Sequence, residues 1–319
     1  MAHNVDTMAY AGAVPWHGLG VKVDKVMTAE EAIMAGGLGW EVNKEPIYLK
    51  SGKKIEGQFA TVRQDRGLPL GVVGDRYTVL NNKDAFGFLD GIITEKSAVY
   101  HTVGSLGKGE RIWLLAKLPK TVRVTHDDIV DQYLLLSNSH DGTSAVTVRF
   151  TPIRVVCQNT LIASFNQSSH VVSVRHTTNM TMKVSEARRI LGISVKFYDQ
   201  FEEMAQAMTK ITMKKDTVET FLAGLGLGKE ATKESTRAKN VKDAVLDYSE
   251  NGKGNRLEGV KGSLWAYLNG AVEYVDYGRT VRNTTDNLQS NRLQSVWFGS
   301  GAELKKKAWD TAVQMVGAK

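Results

Sequence analysis

Two periods of apolar residues divide the chain. Up to about residue 180 the apolar residues form short runs or alternate with polar ones; from about Lys183 they recur at three- and four-residue steps. The first pattern predicts strands at 47–50, 58–63, 70–73, 98–103, 111–118, 132–136, 145–149 and 170–175. Glycines in Gly104-Ser-Leu-Gly-Lys-Gly109 permit the positive φ of a hairpin joint. The polar turn Asn138-Ser-His-Asp-Gly142 joins a second hairpin, whose return strand extends past Pro152 to Val156. Thr28-x-x-Glu31 is a capping box opening a helix that Gly36-Gly37 closes. Two more helices are expected here, at 84–93 with an apolar face of Phe86, Leu89 and Ile93, and at 158–165.

The second pattern is helical. Ala187, Ile190, Leu191, Phe197, Phe201, Met204, Ala205, Met208 and Ile211 share one stripe. Asp216-x-x-Glu219 reads as a capping box for a helix that ends in Gly224-Leu-Gly-Leu-Gly228. Residues 229–259 predict a helix with a connector, 261–276 an amphipathic helix, and 278–294 a long surface loop. Ser300-x-x-Glu303 is expected to cap a last helix. The expected fold is α+β: an antiparallel, hairpin-rich sheet with packed helices, followed by a helical C-terminal part. Its parts are an N-terminal arm with a short helix (1–39), a β-rich core (40–180) and a basic helical domain (181–319).

Composition narrows the class. With 42% hydrophobic and 24% charged residues, the chain fits neither a collagen-like nor a disordered protein. The single cysteine, Cys157, allows no internal disulfide and no cysteine zinc site. No apolar run approaches the roughly 18 residues of a membrane helix, and the N-terminus lacks a signal-peptide layout, so a cytoplasmic location without membrane contact is expected. The net charge of +7 is uneven: residues 1–174 carry 18 Lys+Arg against 17 Asp+Glu, and residues 175–319 carry 23 against 17. Such an excess in one half points to a polyanion.

Most enzyme motifs fail. Gly224 to Lys229 has Ala223 before it and Glu230 after it and follows a helix, so it is no phosphate loop; neither ATP nor another cofactor is expected. The seven histidines show no HxH or HxxxH pair, and no metal site is expected. Binding features read better. Arg149, Arg154, Arg175, Lys183, Arg188 and Arg189 are candidate phosphate contacts, with Phe150 as a base stacker. Asn159 is placed at an expected helix N-terminus, where free amides and the dipole favour anions. The expected partner is single-stranded DNA, with RNA left open, and the expected state is a homo-oligomer. Pro15-Trp-His-Gly-Leu-Gly20 is a candidate stacking or subunit-contact arm. One rival is a nucleotide- or nucleic-acid-processing enzyme centred on His140, Asp141, Cys157 and Asn159. The other is a phage structural or host-interaction protein.

Several strings together resemble a known family. Pro15 to Gly20, Asn138 to Gly142, Thr151-Pro-Ile-Arg-Val-Val-Cys-Gln-Asn-Thr160, His176-Thr177 and Glu273-Tyr-Val-Asp276 look like the phage/plasmid-like domain-of-unknown-function family. The resemblance implies a mobile-element origin and life inside a bacterial host; it carries over no catalytic residues. In outline the chain is similar to Rad52-like single-strand annealing proteins. That analogy implies a recombination or replication role, with strands held in a basic groove and annealed without a nucleotide cofactor.

Overall fold

A computed structural model describes residues 5–11, 20–24, 27–96, 98–157, 159–161, 171–176, 184–228, 236–280 and 295–318. Ten strands come first: β1 Val5–Ala11, β2 Val21–Val23, β3 Val42–Tyr48, β4 Lys54–Arg63, β5 Leu68–Gly74, β6 Val99–Leu106, β7 Arg111–Arg123, β8 Ile129–Ser139, β9 Val146–Arg154 and β10 Val171–Val174. Between them lie α1 Ala29–Ala35 and α2 Asn82–Lys96. Then follow α3 Val184–Thr209, α4 Lys215–Gly224, α5 Thr236–Asn251, α6 Leu264–Glu273, a π-helical turn Tyr274–Gly278 and α7 Ser300–Gly317. The fold is α+β, strands first and helices after.

The strands form a seven-stranded mixed sheet in the order β10-β9-β8-β7-β6-β1-β2 and a three-stranded antiparallel sheet β3-β4-β5. The β6–β7 hairpin pairs Leu106 with Arg111 across the glycine joint, as the glycine spacing requires. Strand β8 lies inside the large sheet and is buried almost throughout, including Leu134, Leu135 and Leu136, so its apolar run does not alternate. Strand β1 departs from expectation. Instead of belonging to an arm, Val5–Ala11 pairs antiparallel with β6 and parallel with β2, and Met8, Ala9 and Tyr10 are buried.

Helix ends also depart in part. The Thr28 capping box is present: Glu31 N–H donates to Thr28 Oγ1 at 3.2 Å and Thr28 N–H to Glu31 Oε2 at 3.0 Å. Helix α4 starts two residues earlier than a cap at Asp216 implies, with Lys214 at the cap position, and its first turn is held by Lys214 N–H donating to Thr217 Oγ1 at 2.6 Å. Helix α7 is preceded by Gly299 at the cap position with no side-chain cap, so Ser300 begins the helix rather than capping it. The expected helix at 158–165 does not start at its described residues: Thr160 instead forms a β-bridge with Ile153. The Pro15–Leu19 part of the arm motif, Lys183 and most of the 278–294 loop lie outside the described residues.

The chain divides into two compact units of alternating segments. The first takes Met1–Pro119, Tyr133–Phe150 and Val171–Ile193; the second takes Lys120–Gln132, Thr151–His170 and Ser194–Lys319. In the second unit the core is aromatic, with Phe201 stacked on Trp309 at 5.3 Å and edge-on to Trp265 at 6.1 Å.

Candidate nucleic-acid interface and two buried polar clusters

The second unit decides the fate of Arg154 and Asn159. Arg154 ends β9 with 0% exposure. Its Nε and Nη2 donate to the buried Asp128 carboxylate at 2.7 Å each, a forked pair. Nη1 donates to Asn255 Oδ1 at 2.8 Å and Nη2 also to the Gly254 carbonyl at 2.8 Å. Gly254 has φ of +77°, and a Cβ there would meet Val156 Cγ1 at 2.3 Å, so only glycine lets its backbone reach the guanidinium. Trp265 Nε1 donates to Asp128 as well, at 2.8 Å. Asn159, also 0% exposed, donates from Nδ2 to the Asn269 carbonyl at 3.2 Å.

Next to it, Thr160 N–H donates to Asp276 Oδ2 at 2.9 Å, and the fully buried Lys305 pairs with Asp276 and donates to Thr160 Oγ1 at 2.6 Å. Asp276 and Tyr277 belong to the π-helical turn, which aims them at Thr160 and at the Cys157 carbonyl, reached by the Tyr277 hydroxyl at 2.5 Å. Two of the expected contacts are therefore corrected. Arg154 and Asn159 are enclosed and bonded within the fold, where no phosphate reaches them.

The remaining candidates belong to the first unit. Phe150 is 4% exposed and packs as core, so it offers no ring for stacking. Arg149 stands half-buried on β9, in register with Val171 of β10, the strand at the end of the large sheet. Arg175 is exposed just beyond β10, and Arg189 is exposed on α3. Arg188 lies on the same helix, with its side chain outside the described set, as is Lys183 altogether.

The first unit also holds a polar cluster built from Asn138 to Gly142 and from His176. His140, 0% exposed, bonds through Nε2 to Asn82 Oδ1 at 3.0 Å and lies edge-on to Trp40 at 5.3 Å. Asn82 Nδ2 donates to the carbonyls of Leu38 and Trp40, so its Oδ1 accepts and His140 Nε2 carries the proton. Burial pushes the His140 imidazole down to about 3, helped by His176 and Arg63, so the ring is neutral near pH 7. His176 Nδ1 donates to the Thr78 carbonyl at 3.0 Å, and its ring stacks on Tyr77 at 4.5 Å. Burial lowers its pKa too. Asp141 accepts from Ser139, from Thr143 N–H at 2.9 Å and from Thr143 Oγ1 at 2.6 Å. The chain approaches closely here, since a Cβ at Gly71 would fall 2.6 Å from Asp141 Cα.

These geometries bear on the enzymatic rival. His140 and Asp141 sit in the first unit, Cys157 and Asn159 in the second. Burial pushes the Cys157 thiol up to about 12, the opposite of an activated nucleophile. A neutral imidazole with a pKa near 3 is a poor general base at pH 7. Among the described residues no three His, Cys, Asp or Glu could hold a metal ion, and no helix is long and apolar enough to cross a membrane.

Sequence reasoning named His140 and Asp141 but missed Asp128, Trp265 and Lys305, the partners that enclose Arg154 and Thr160. The signal available was indirect: Trp265 falls in the helix expected to be amphipathic at 261–276, and Lys305 in the last helix expected after Ser300. Compared with known proteins, the chain matches the model of the domain of unknown function DUF932 over residues 69–297. No curated protein and no solved structure matches it.

Proposed function

The chain belongs to the DUF932 family, and on that footing we propose that it binds single-stranded nucleic acid through the first unit. One observation carries the reading. The segment 171–193 places Arg175, Lys183, Arg188 and Arg189 in sequence with Glu186 as its one carboxylate, and Arg175 and Arg189 are exposed. Cations in such excess attract phosphates and release counterions from the strand. Arg149 stands on the strand beside β10, in register with Val171. Annealing of complementary strands without ATP, by a homo-oligomer in the recombination or replication of a phage or plasmid in a bacterial cytoplasm, completes the reading; it rests on the family resemblance and the absence of a phosphate-loop motif in the sequence.

The test is a salt-titrated binding assay with single- and double-stranded oligonucleotides. Arg175→Glu with Arg189→Glu is expected to weaken binding at low salt and to flatten the salt slope by about 0.7 per lost contact on a single strand. An unchanged slope removes these residues from the interface. Failure of the wild-type chain to retain any oligonucleotide at low salt favours a structural or host-interaction protein instead.

A further inference from the structure

The second unit encloses two ion pairs, Arg154 with Asp128 and Lys305 with Asp276, and all four side chains are fully buried. The pairs differ in chemistry. A guanidinium keeps its proton in a protein, whereas a lysine ammonium gives one up readily when water is withdrawn. The free amine is a nucleophile, and a protonated carboxyl is an electrophile. Only the Lys305 pair therefore holds two groups that can react with each other.

Thr160 arranges them. Lys305 Nζ donates to the Thr160 carbonyl at 2.9 Å and to Thr160 Oγ1 at 2.6 Å. An ammonium has three N–H groups, and the third faces Asp276 Oδ1, with which Nζ is in direct contact. When that proton passes to the carboxylate, the lone pair of the amine is left pointing at the carboxyl. The other oxygen, Asp276 Oδ2, accepts from Thr160 N–H at 2.9 Å and from Thr160 Oγ1 at 3.1 Å. Two fixed donors on one carboxyl oxygen stabilise the negative charge that gathers there when a nucleophile adds to the carbon. Three elements converge on this point: Asp276 comes from the π-helical turn, Lys305 from α7, and Thr160 from the bridge to Ile153 of β9.

Burial favours the reaction at both ends. It pushes the Asp276 carboxyl up and the Lys305 amine down, each toward its neutral, reactive form. In water the separate hydrated ions are the stable state. A dry interior penalises both ions and penalises a hydrogen-bonded neutral amide far less. Such an amide keeps its partners here, its oxygen on the two Thr160 donors and its N–H on the Thr160 carbonyl.

We infer that Lys305 and Asp276 join in an intramolecular amide, a covalent staple between α7 and the π-helical turn. The Nζ–Cγ bond forms and the Cγ–Oδ1 bond breaks. The ammonium loses two protons, and both end on Oδ1. The first crosses directly; the second passes through Thr160 Oγ1, which lies 2.6 Å from Nζ and 3.4 Å from Oδ1. Oδ1 leaves as water, and no oxidant, cofactor or co-reactant is consumed. The staple is independent of the strand-binding reading above.

The test is intact-mass spectrometry of the full chain, purified folded and then denatured, followed by protease digestion. The expected mass is one water below that of the sequence, with a branched peptide joining the segments of Asp276 and Lys305. Lys305→Met and Asp276→Ala are each expected to show neither. Thr160→Val keeps both reacting groups but lacks the hydroxyl, and its joining is expected to be slowed about a hundredfold, the scale of one lost donor to a developing oxyanion. Circular dichroism melts identify a variant that fails to fold, and the wild-type result stands without any variant. A folded wild type of full sequence mass overturns the staple. So does a water loss without the branched peptide, or one that persists in Lys305→Met. Joining in Thr160→Val at the wild-type rate overturns the route through the hydroxyl.

Discussion

The two buried polar clusters use the same raw materials to opposite ends. In the second unit Thr151 to Thr160 meets Glu273 to Asp276, and the buried cations are matched by anions: Arg154 by Asp128, Lys305 by Asp276. In the first unit Asn138 to Gly142 meets His176, and the groups at the centre are neutral rings and an amide held by carbonyls. A matched buried pair has its polar capacity consumed and has nothing left to offer a ligand. The neutral cluster keeps unused lone pairs. The second unit also leaves Asn159 Oδ1 and Glu273 Oε2 bare, but burial raises the Glu273 pKa, toward a protonated carboxyl that can itself donate. The first cluster is neutral and anchored on carbonyls and an amide; the second is charged and paired within itself.

Breaking the charged cluster gives the largest effect. Arg154→Met leaves Asp128 buried without its guanidinium, and a loss of about 3–5 kcal/mol is expected in urea unfolding. The double variant Arg154→Met with Asp128→Leu is expected to recover much of that loss; if it is no more stable than the single variant, the uncompensated charge is not the cause.

Acidification separates the clusters next. The folded-state pKa of His140 is depressed from 6.5 to about 3, so the unfolded chain binds a proton that the folded chain refuses. Its contribution is fully present above about pH 6.5 and is lost as pH falls toward 3, at up to about 1.4 kcal/mol per pH unit. His176, lowered in the same direction, adds to the slope. Urea midpoints measured from pH 7.5 to 4.5 are expected to fall steeply in the wild type and less steeply in His140→Phe. Parallel slopes in the two proteins defeat this account.

Smallest is the loss of an anchor. Asn82→Ala strips the acceptor from His140 Nε2 and the donor from the Leu38 and Trp40 carbonyls. A destabilisation of about 1–3 kcal/mol is expected. Nitrogen-15 shifts of the His140 ring then report a changed tautomer; an unaltered ring signal means Asn82 does not set it.

Local patterns were readable wherever neighbours in sequence are also partners in space. The Thr28 capping box closes over three residues and the β6–β7 hairpin over a glycine-rich joint, and both form as the spacing implies. Strand β1 was not readable, because what makes Val5–Ala11 a strand is its pairing with Thr102 to Leu106, nearly a hundred residues on. The observed caps Lys214 and Gly299 precede the expected Asp216 and Ser300 by two residues and one; at α4 the Thr217 hydroxyl, within the same turn, takes the Lys214 amide instead.

The amino-acid order alone determined the change from strand to helix, the glycine joints and the local basic excess around residues 175–189, because each depends on spacing or on composition within a short stretch. Tertiary structure decided which arginines face outward. Arg154 and Arg175 look alike at the ends of two strands, yet one is enclosed by Asp128, Asn255 and Gly254 and the other is exposed. A side chain's burial is set by groups brought to it from distant parts of the chain, and no local pattern records their arrival.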